Sequence, residues 1–264
     1  MTATSGSGTA GAQLLALSHR SVLAILRQPS VVVPSLVFPL FFVALGTSSF
    51  ARAVAIPGFP VVDSFLDFAL AGSVVQGVLF GSITSATALA TDIETGFFDR
   101  LLLSPSTRIG ILVGRLAGAM VYGLAQTVFF VVVLVPFGLS IKSGPVGLLA
   151  MALGGVLTAL AVGALMSAMA LRTGSAEAVQ GSFPLVFVLL FLSSAFFPRQ
   201  TMDGAYRTIA DLNPISYLVE GFRALTIDEL DATAVAQTIG VPAAIAAAAL
   251  ALALRTLATR VADR

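Results

Sequence analysis

The chain has 264 residues, of which 57% are apolar and only 10% are charged, against roughly 25% charged residues in an ordinary soluble domain. Its mean hydropathy is +1.00, and a soluble fold of this size cannot cover so many apolar side chains with polar ones. The composition therefore excludes a soluble enzyme and a disordered protein, and it indicates a membrane protein with several spans. A net charge of +1 also argues against nucleic acid as a partner.

Single residue types exclude further classes of site. The chain has no Cys and one His, His19, which excludes disulfides, zinc-thiolate sites and iron–sulfur clusters and leaves no basis for a metal site. Its one Lys, Lys142, precedes Ser143 as in a phosphate-binding loop, but Ile141 stands where that loop requires Gly. We therefore expect no cofactor on this chain and no ATP site of its own.

Long apolar windows without charged residues fill most of the chain after a flexible N-terminal tail, residues 1–13. A bilayer core about 30 Å thick needs a helix of roughly 20 apolar residues. We predict an all-α membrane protein with one transmembrane domain over residues 14–264 and six spans. In chain order, the spans are about 30–51, 68–91, 116–141, 145–171, 178–198 and 232–254.

The distribution of charge predicts the orientation. Six spans place both termini on one side, and if that side is cytoplasmic, the inner segments carry more Arg and Lys than the outer ones. No window has the pattern of a cleavable signal peptide. We expect a multi-pass protein of the bacterial cytoplasmic membrane with both termini in the cytoplasm. The absence of charged residues from the windows argues against an ion-coupled carrier, because such carriers use charged groups within the membrane.

Polar side chains within the windows are limited to hydroxyls and amides. The amides either hydrogen-bond neighbouring helices or line a substrate path. The candidates for lining such a path are two amides and one aromatic residue, Gln76, Gln180 and Phe187. Gly77 and Gly81 form a Gly-x-x-x-Gly pair, which allows close packing of helices within one chain or between two protomers.

The segment after the second window predicts a short amphipathic cytoplasmic helix from about Asp92 to Leu103. Thr91 and Glu94 have the spacing of a capping box, and Pro105 ends the helix. Its apolar face carries Ile93, Phe97 and Leu101. The helix either lies on the membrane surface or docks into a cytoplasmic partner.

A second amphipathic pattern, Leu14–Gln28, precedes the first window. Its apolar residues lie on one side and its basic residues elsewhere, which predicts a helix in the membrane interface. The lone His19 is then an interfacial polar residue rather than a ligand or a base.

The segment between the fifth and sixth windows is too apolar for a solvated loop. Pro214 separates two short helical patterns, about Met202–Leu212 and Ile215–Leu225. Two re-entrant helices in the outer leaflet explain this composition, provided that protein neighbours satisfy their ends. Glu220 and Arg223 are spaced to form an ion pair on one helix face; a gate or a substrate contact is the alternative role.

Five short motifs follow one another in a characteristic order within about residues 15–255. They are Asp92-Ile93-Glu94-Thr95-Gly96-Phe97-Phe98-Asp99-Arg100-Leu101-Leu102-Leu103-Ser104-Pro105, Gly114-Arg115-Leu116, Phe191-Leu192-Ser193-Ser194-Ala195-Phe196-Phe197-Pro198, Ala210-Asp211-Leu212-Asn213-Pro214-Ile215-Ser216-Tyr217 and Gly221-Phe222-Arg223-Ala224-Leu225. With six spans, this pattern resembles the permease subunits of type-2 ABC exporters, most of all the daunorubicin-resistance-like multidrug group. Asp203 departs from the pattern, because the family often has Pro there.

The resemblance implies a permease subunit without catalysis of its own. It would move an amphiphilic or hydrophobic, drug-like substrate outward, using two separate ABC ATPase subunits that hold ATP and Mg. It would pair with a second permease chain, identical or different, within the membrane lipid. Export of a lipid, glycolipid or polysaccharide precursor is the alternative, and an ion-coupled carrier is a more distant one.

The resemblance also implies roles for particular residues. The helix after the second span would be the coupling helix to the ATPase, and its contact residues are Asp92, Glu94, Gly96, Phe97, Asp99, Arg100 and Leu101. The helices before the sixth span would be the family's re-entrant pair, closing the outer end of the path. Its candidate gate residues are Asn213, Pro214, Tyr217, Glu220 and Arg223.

Overall fold

The computed structural model describes residues 18–19, 22–23, 29–103 and 107–262, and all regular structure within these ranges is helical. The predicted tail and most of the predicted interfacial helix lie outside the described residues. The α-helices are α1 (Pro29–Ser49), α2 (Phe65–Glu94), α3 (Phe97–Leu102), α4 (Arg108–Leu134), α5 (Gly144–Thr173), α6 (Ala176–Gly181), α7 (Phe183–Phe191), α8 (Gly204–Leu212), α9 (Pro214–Ile227) and α10 (Ala232–Ala262).

Five of the described helices, α1, α2, α4, α5 and α10, are long and apolar enough to cross a membrane. They overlap five of the six predicted spans. The predicted span 116–141 is misplaced, because α4 begins at Arg108 and ends at Leu134, ahead of the turn at Gly138. The remaining window, 178–198, holds two short helices, α6 and α7, followed by turns. From Ala176 to Phe191 these helices extend about 24 Å at 1.5 Å per residue, which is less than a bilayer core of about 30 Å.

The division between α6 and α7 falls at Ser182, and Pro184 lies in the first turn of α7. Proline lacks an N–H and its ring clashes with the preceding helical turn. The predicted fifth span, 178–198, is therefore not a single continuous helix.

Helix α2 is the central helix of the fold. Of its most apolar window, 94% of the residues are buried, against 22% for α1. It packs against α1, α4, α5, α6 and α9. A helix surrounded on all sides by other helices is apolar all round, which agrees with its long charge-free window.

The start of α2 lies before the predicted span because a charged residue is stabilised there. Ser64 caps the helix, and Asp67 completes a capping box with it. Asp67 is 3% exposed, and its Oδ1 accepts the backbone N–H of Ser140 at 2.9 Å. Lys142 forms an ion pair with Asp63 at 3.2 Å. These contacts fasten the turn between α4 and α5 to the start of α2.

The Gly-x-x-x-Gly pair packs helices within one chain, the first of the two predicted alternatives. A Cβ on Gly77 would lie 2.7 Å from the Phe130 ring, and a Cβ on Gly81 would clash with the Tyr122 ring. Both rings belong to α4. The Tyr122 ring cannot move away freely, because its hydroxyl hydrogen-bonds the Ser35 hydroxyl of α1 at 2.5 Å.

Candidate functional site

The predicted coupling helix is divided at Gly96. Asp92 and Glu94 lie in the last turn of α2, and α3 begins at Phe97. Gly96 joins the two helices with a φ of +69°, a left-handed conformation that glycine adopts without steric cost. The predicted end of the helix at Pro105 lies outside the described residues.

The predicted capping box at Thr91 is wrong, because α2 continues through this residue. The Thr91 hydroxyl donates to the Thr87 carbonyl at 3.1 Å, inside the helix. Such bonds to the preceding turn allow Thr to occupy a helix interior. Ile93, two residues later, is 6% exposed and belongs to the hydrophobic core, so tertiary packing continues α2 past the predicted cap.

The two acids at the end of α2 bind other helices of the same chain. Asp92 forms an ion pair with Arg115 of α4. Glu94 Oε1 accepts the backbone N–H of Ala176, the first residue of α6, at 2.7 Å. The last turn of α2 is therefore linked to both α4 and α6, and contact of these acids with an ATPase stays a prediction.

Helix α3 is anchored by Phe98, which is 2% exposed. Phe97, Asp99 and Leu101 are half-buried, and Leu101 packs against the core. The predicted face of Phe97 and Leu101 is therefore partly occupied by the chain itself. The spacing of four that pointed to Phe97 and Leu101 applies equally to Phe98 and Leu102, so spacing alone did not identify Phe98 as the buried residue.

The exposed surface formed by α3 and the residue directly after it combines one charge and one large apolar residue. Arg100 is exposed, with its guanidinium carbon 5.9 Å from the centre of the Phe97 ring. Leu103 is 88% exposed. An exposed Leu beside an Arg is a composition suited to a protein contact.

At the opposite end of α2, an ion-pair network centred on Arg199 holds α8 and α9 together. Arg199 Nε donates to Glu220 Oε1 at 2.6 Å, and Arg199 Nη1 donates to Asp211 Oδ1 at 3.2 Å. Its guanidinium carbon lies 4.7 Å from the centre of the Tyr217 ring. The Tyr217 hydroxyl donates to the Asp211 carbonyl at 2.7 Å, and Arg207 adds a second ion pair with Asp211 at 3.2 Å.

The predicted ion pair between Glu220 and Arg223 is wrong, because Arg199 binds Glu220 instead. Two guanidinium nitrogens of Arg199 donate to the two carboxylate oxygens, a bidentate geometry stronger than a single contact. Burial alone would lower the pKa of Arg199, but its hydrogen bond and charge interaction with Glu220 outweigh it and raise the pKa. The guanidinium therefore stays charged throughout the neutral pH range.

Arg223 stabilises irregular backbone. Its side chain is 4% exposed, and Nη2 donates to the Ser194 carbonyl at 2.6 Å and to the Ala195 carbonyl at 3.4 Å. The guanidinium carbon lies 3.7 Å from the centre of the Phe68 ring of α2. Arg223 thus joins the turns after α7 to the central helix.

Asn213 and Pro214 separate α8 from α9, as predicted. Asn213 Oδ1 accepts the N–H of Ile215 at 3.0 Å and caps α9. Its Nδ2 donates to the Leu189 carbonyl at 2.6 Å and the Leu192 carbonyl at 3.2 Å. One side chain therefore starts α9 and satisfies the end of α7.

Beneath α8 lies a cavity of about 220 Å³, which we call the aromatic cavity. It is bounded by α1, the first half of α2, the end of α7 and the turns after it, and it is partly open. Its lining side chains are uncharged, and about half of them are aromatic. The aromatic ones are Phe42, Phe50, Phe65, Phe68, Phe191, Phe196, Phe197 and Tyr206.

The three predicted path residues occupy different places. Gln76 lines the aromatic cavity and is 1% exposed. Phe187 lies just outside, with its ring centre 4.8 Å from that of Phe191, a cavity residue. Gln180 is exposed on α6. Gln76 therefore lies in the cavity wall, and Phe187 contacts this wall through Phe191. Gln180 is not among the lining residues.

A chain whose described regular structure is entirely helical, with five apolar helices of spanning length and an uncharged cavity between helices, is a multi-pass membrane protein. A family model described as ABC-2 type transporter matches residues 12–227, most of the chain. The chain therefore belongs to the ABC-2 type transporter family, and it is a transmembrane transport subunit.

Known relatives cover most of the chain. It is 30% identical over 215 residues to the daunorubicin resistance ABC transporter permease protein DrrB1 of Streptomyces coeruleorubidus, a match covering 79% of this chain and 74% of that protein. It is 29% identical over 216 residues to the ycf38 protein of Porphyra purpurea, whose name describes a transport permease. That match covers 80% of this chain and 72% of the relative.

Proposed function

We propose that this chain is the membrane subunit of an ATP-driven exporter in the bacterial cytoplasmic membrane. Two such chains, identical or different, would enclose the path, and two separate ATPase subunits would supply the energy. The substrate would be an amphiphilic or hydrophobic molecule of drug-like size, a class to which the name of the Streptomyces relative points. The chain has no phosphate-binding loop, so the hydrolysis of ATP must take place on another chain.

The observation that carries this proposal is the continuity of α2. This helix has 30 residues, about 45 Å at 1.5 Å per residue. Its first half lines the aromatic cavity through Phe68 and Gln76. Its last turn adjoins α3 and holds α4 and α6 through Asp92 and Glu94. A displacement of α3 would therefore be transmitted to the cavity by one continuous, buried helix, α2.

We infer that α6, α7 and the turns after them form the sixth membrane crossing. Irregular backbone is tolerated at membrane depth only where protein satisfies its polar groups. Arg223 and Asn213 supply donors to four carbonyls of this segment. The Ser194 N–H donates to the Ser216 hydroxyl at 3.2 Å. The polar backbone groups of this segment would therefore be satisfied within the membrane. With six crossings, both termini would lie in the cytoplasm.

The docking surface for the ATPase would be the exposed part of α3 together with Leu103, the residue directly after it. Because Asp92 and Glu94 are engaged within the chain, the contact would rest mainly on Arg100 and Leu103. Arg is enriched in protein interfaces, and Leu103 offers an exposed apolar anchor beside it. The two acids would then transmit movement rather than bind the partner.

Site-directed cross-linking tests this proposal. The chain has no Cys, so Leu103→Cys introduces a single thiol that can carry a photoactivatable maleimide. In membranes of the cell of origin, irradiation should link this position to a subunit that contains an ATP-binding loop. Leu212→Cys, 79% exposed on α8, is the matched control and should give no such product.

The complex purified from those membranes should hydrolyse ATP faster when its amphiphilic substrate is added. Absence of an ATPase from the Leu103→Cys product, or its equal appearance with Leu212→Cys, would contradict the proposal.

A further inference from the structure

The wall of the aromatic cavity contains one polar group that the fold leaves unsatisfied. Gln76 is 1% exposed, and its Nε2 has no hydrogen-bond partner in the described part of the chain. A buried donor without an acceptor costs about 1–3 kcal/mol. The two other polar side chains of the wall are hydrogen-bonded, since the Ser73 hydroxyl donates to the Ala69 carbonyl at 2.9 Å and the Tyr206 hydroxyl to the Phe191 carbonyl at 2.5 Å.

The rest of the wall selects against charged ligands. Its lining side chains carry no charge, and an ion placed among them would lose its hydration without gaining a partner. Phe68, a wall residue, already has the guanidinium of Arg223 3.7 Å from its ring centre. This fixed positive charge next to the wall opposes a second cation.

The size and the aromatic character of the cavity favour a flat ring system. An apolar cavity of about 150 Å³ binds benzene, so about 220 Å³ accommodates two fused rings. Aromatic pairs gain about 0.5–1.5 kcal/mol beyond the burial of their area. Phe191 and Phe196 already stack with ring centres 4.5 Å apart, which leaves their remaining faces and edges for a ligand ring.

We propose that the aromatic cavity is a binding subsite for an uncharged aromatic group bearing a carbonyl or ether oxygen, to which the Gln76 amide donates a hydrogen bond. This inference deepens the proposed function, on which it rests, by naming the part of an amphiphilic substrate that one protomer recognises. Gln76 is then a specificity-determining residue. It distinguishes ring systems that carry an acceptor from plain hydrocarbons of the same shape.

Two probes of nearly equal shape test the proposal, namely 2-acetylnaphthalene, which has a ketone oxygen, and 2-isopropylnaphthalene, which has none. Radiolabelled probes are dialysed to equilibrium against the full chain in lipid nanodiscs, with empty nanodiscs as the background. Gln76→Leu should weaken binding of the ketone about five-fold, the equivalent of one hydrogen bond. Binding of the hydrocarbon should be unchanged or tighter.

Control variants separate recognition from folding. Gln180→Leu removes an exposed amide outside the cavity and should leave both probes bound as in the original chain. Ala69→Phe fills the cavity from α2 and should abolish binding of both probes, and it keeps the test decisive if Gln76→Leu does not fold. Unchanged ketone binding in Gln76→Leu, an equal loss of both probes there, or retained binding in Ala69→Phe would overturn the proposal. No ATPase takes part, so failure of this subsite leaves the cross-linking result intact.

Discussion

The guanidinium of Arg223 donates to the carbonyl of Ser194, 29 residues earlier in the chain, at 2.6 Å. Neither residue is in a helix that spans the membrane by length and composition. Their contact nevertheless holds the irregular backbone that follows α7 against α2. A buried charge is thus used to satisfy carbonyls that a continuous helix would have satisfied itself.

Removal of Arg223 should destabilise the fold. In Arg223→Leu the carbonyls of Ser194 and Ala195 lose a buried donor, and each unsatisfied group costs about 1–3 kcal/mol. Arg223→Lys should recover only part of this loss, because an ammonium cannot match the planar stacking on Phe68. The midpoint of thermal unfolding in detergent measures the effect.

The matched control for this prediction is Arg207→Leu. The side chain of Arg207 is 44% exposed in its ion pair with Asp211, and such pairs contribute about 0–1 kcal/mol. An unfolding midpoint for Arg223→Leu equal to that of Arg207→Leu would show that the buried contacts of Arg223 are not structural.

Loss of the Glu94 carboxylate should loosen the start of α6. Glu94→Ala removes the acceptor of the Ala176 N–H, whereas Glu94→Gln retains a carbonyl oxygen at the same place. Local opening raises the rate of hydrogen exchange, so amides near Ala176 should exchange several-fold faster in Glu94→Ala than in Glu94→Gln. Glu177→Ala, an exposed acid on α6, serves as the control. Identical exchange in the two Glu94 variants would remove the proposed link between α2 and α6.

The close approach of α2 and α4 predicts a difference between two glycines. Gly81→Ala forces a methyl group into the Tyr122 ring, which Ser35 holds, and overpacking of this kind costs about 1–3 kcal/mol. Gly240→Ala meets nothing within 4 Å on α10, and should be neutral or stabilising by about 1 kcal/mol, the helix preference for Ala over Gly. Denaturation of both variants in detergent decides whether Gly81 packs helices inside the chain.

Thiol labelling counts the membrane crossings between α3 and α8. Leu103 and Leu212 are both exposed, and α4, α5 and the broken helix α6–α7 lie between them. Three crossings place Leu103→Cys and Leu212→Cys on opposite sides. A membrane-impermeant maleimide should therefore label only Leu212→Cys in intact spheroplasts and only Leu103→Cys in inverted vesicles. Labelling of both from one side would mean that α6–α7 does not cross.

The sequence predicted the helices whose stability comes from continuous apolar composition, and it misplaced their ends where charges are paired. Charge-free windows excluded Asp67 from α2 because an isolated carboxylate is costly in a membrane. In the fold, Ser64 and the N–H of Ser140 satisfy it. The division of the fifth window had a local signal, Gly181-Ser182-Phe183-Pro184, in which Gly, Ser and Pro oppose a continuous helix.

The candidate site was less accessible to sequence reasoning because its contacts join distant segments. Spacing within one helix suggested that Glu220 pairs with Arg223, but Arg199 reaches Glu220 from 21 residues away. Likewise, no local pattern reveals that Gln76 lines a cavity with an unsatisfied amide. The separation of α8 and α9 at Pro214 was predictable, because a proline favours the first turn of a helix and disfavours the interior.

ATP hydrolysis on a partner chain, we propose, drives an amphiphile across the membrane through this subunit. The most direct test of this proposal is the accumulation of naphthyl maltoside, an uncharged aromatic amphiphile with an ether oxygen, in inverted proteoliposomes that contain the purified complex. We expect accumulation with ATP, none with a non-hydrolysable analogue, and a loss of at least ten-fold, about 1.4 kcal/mol, in the double variant Arg100→Glu, Leu103→Asp. Accumulation without ATP that follows an imposed ion gradient would contradict it.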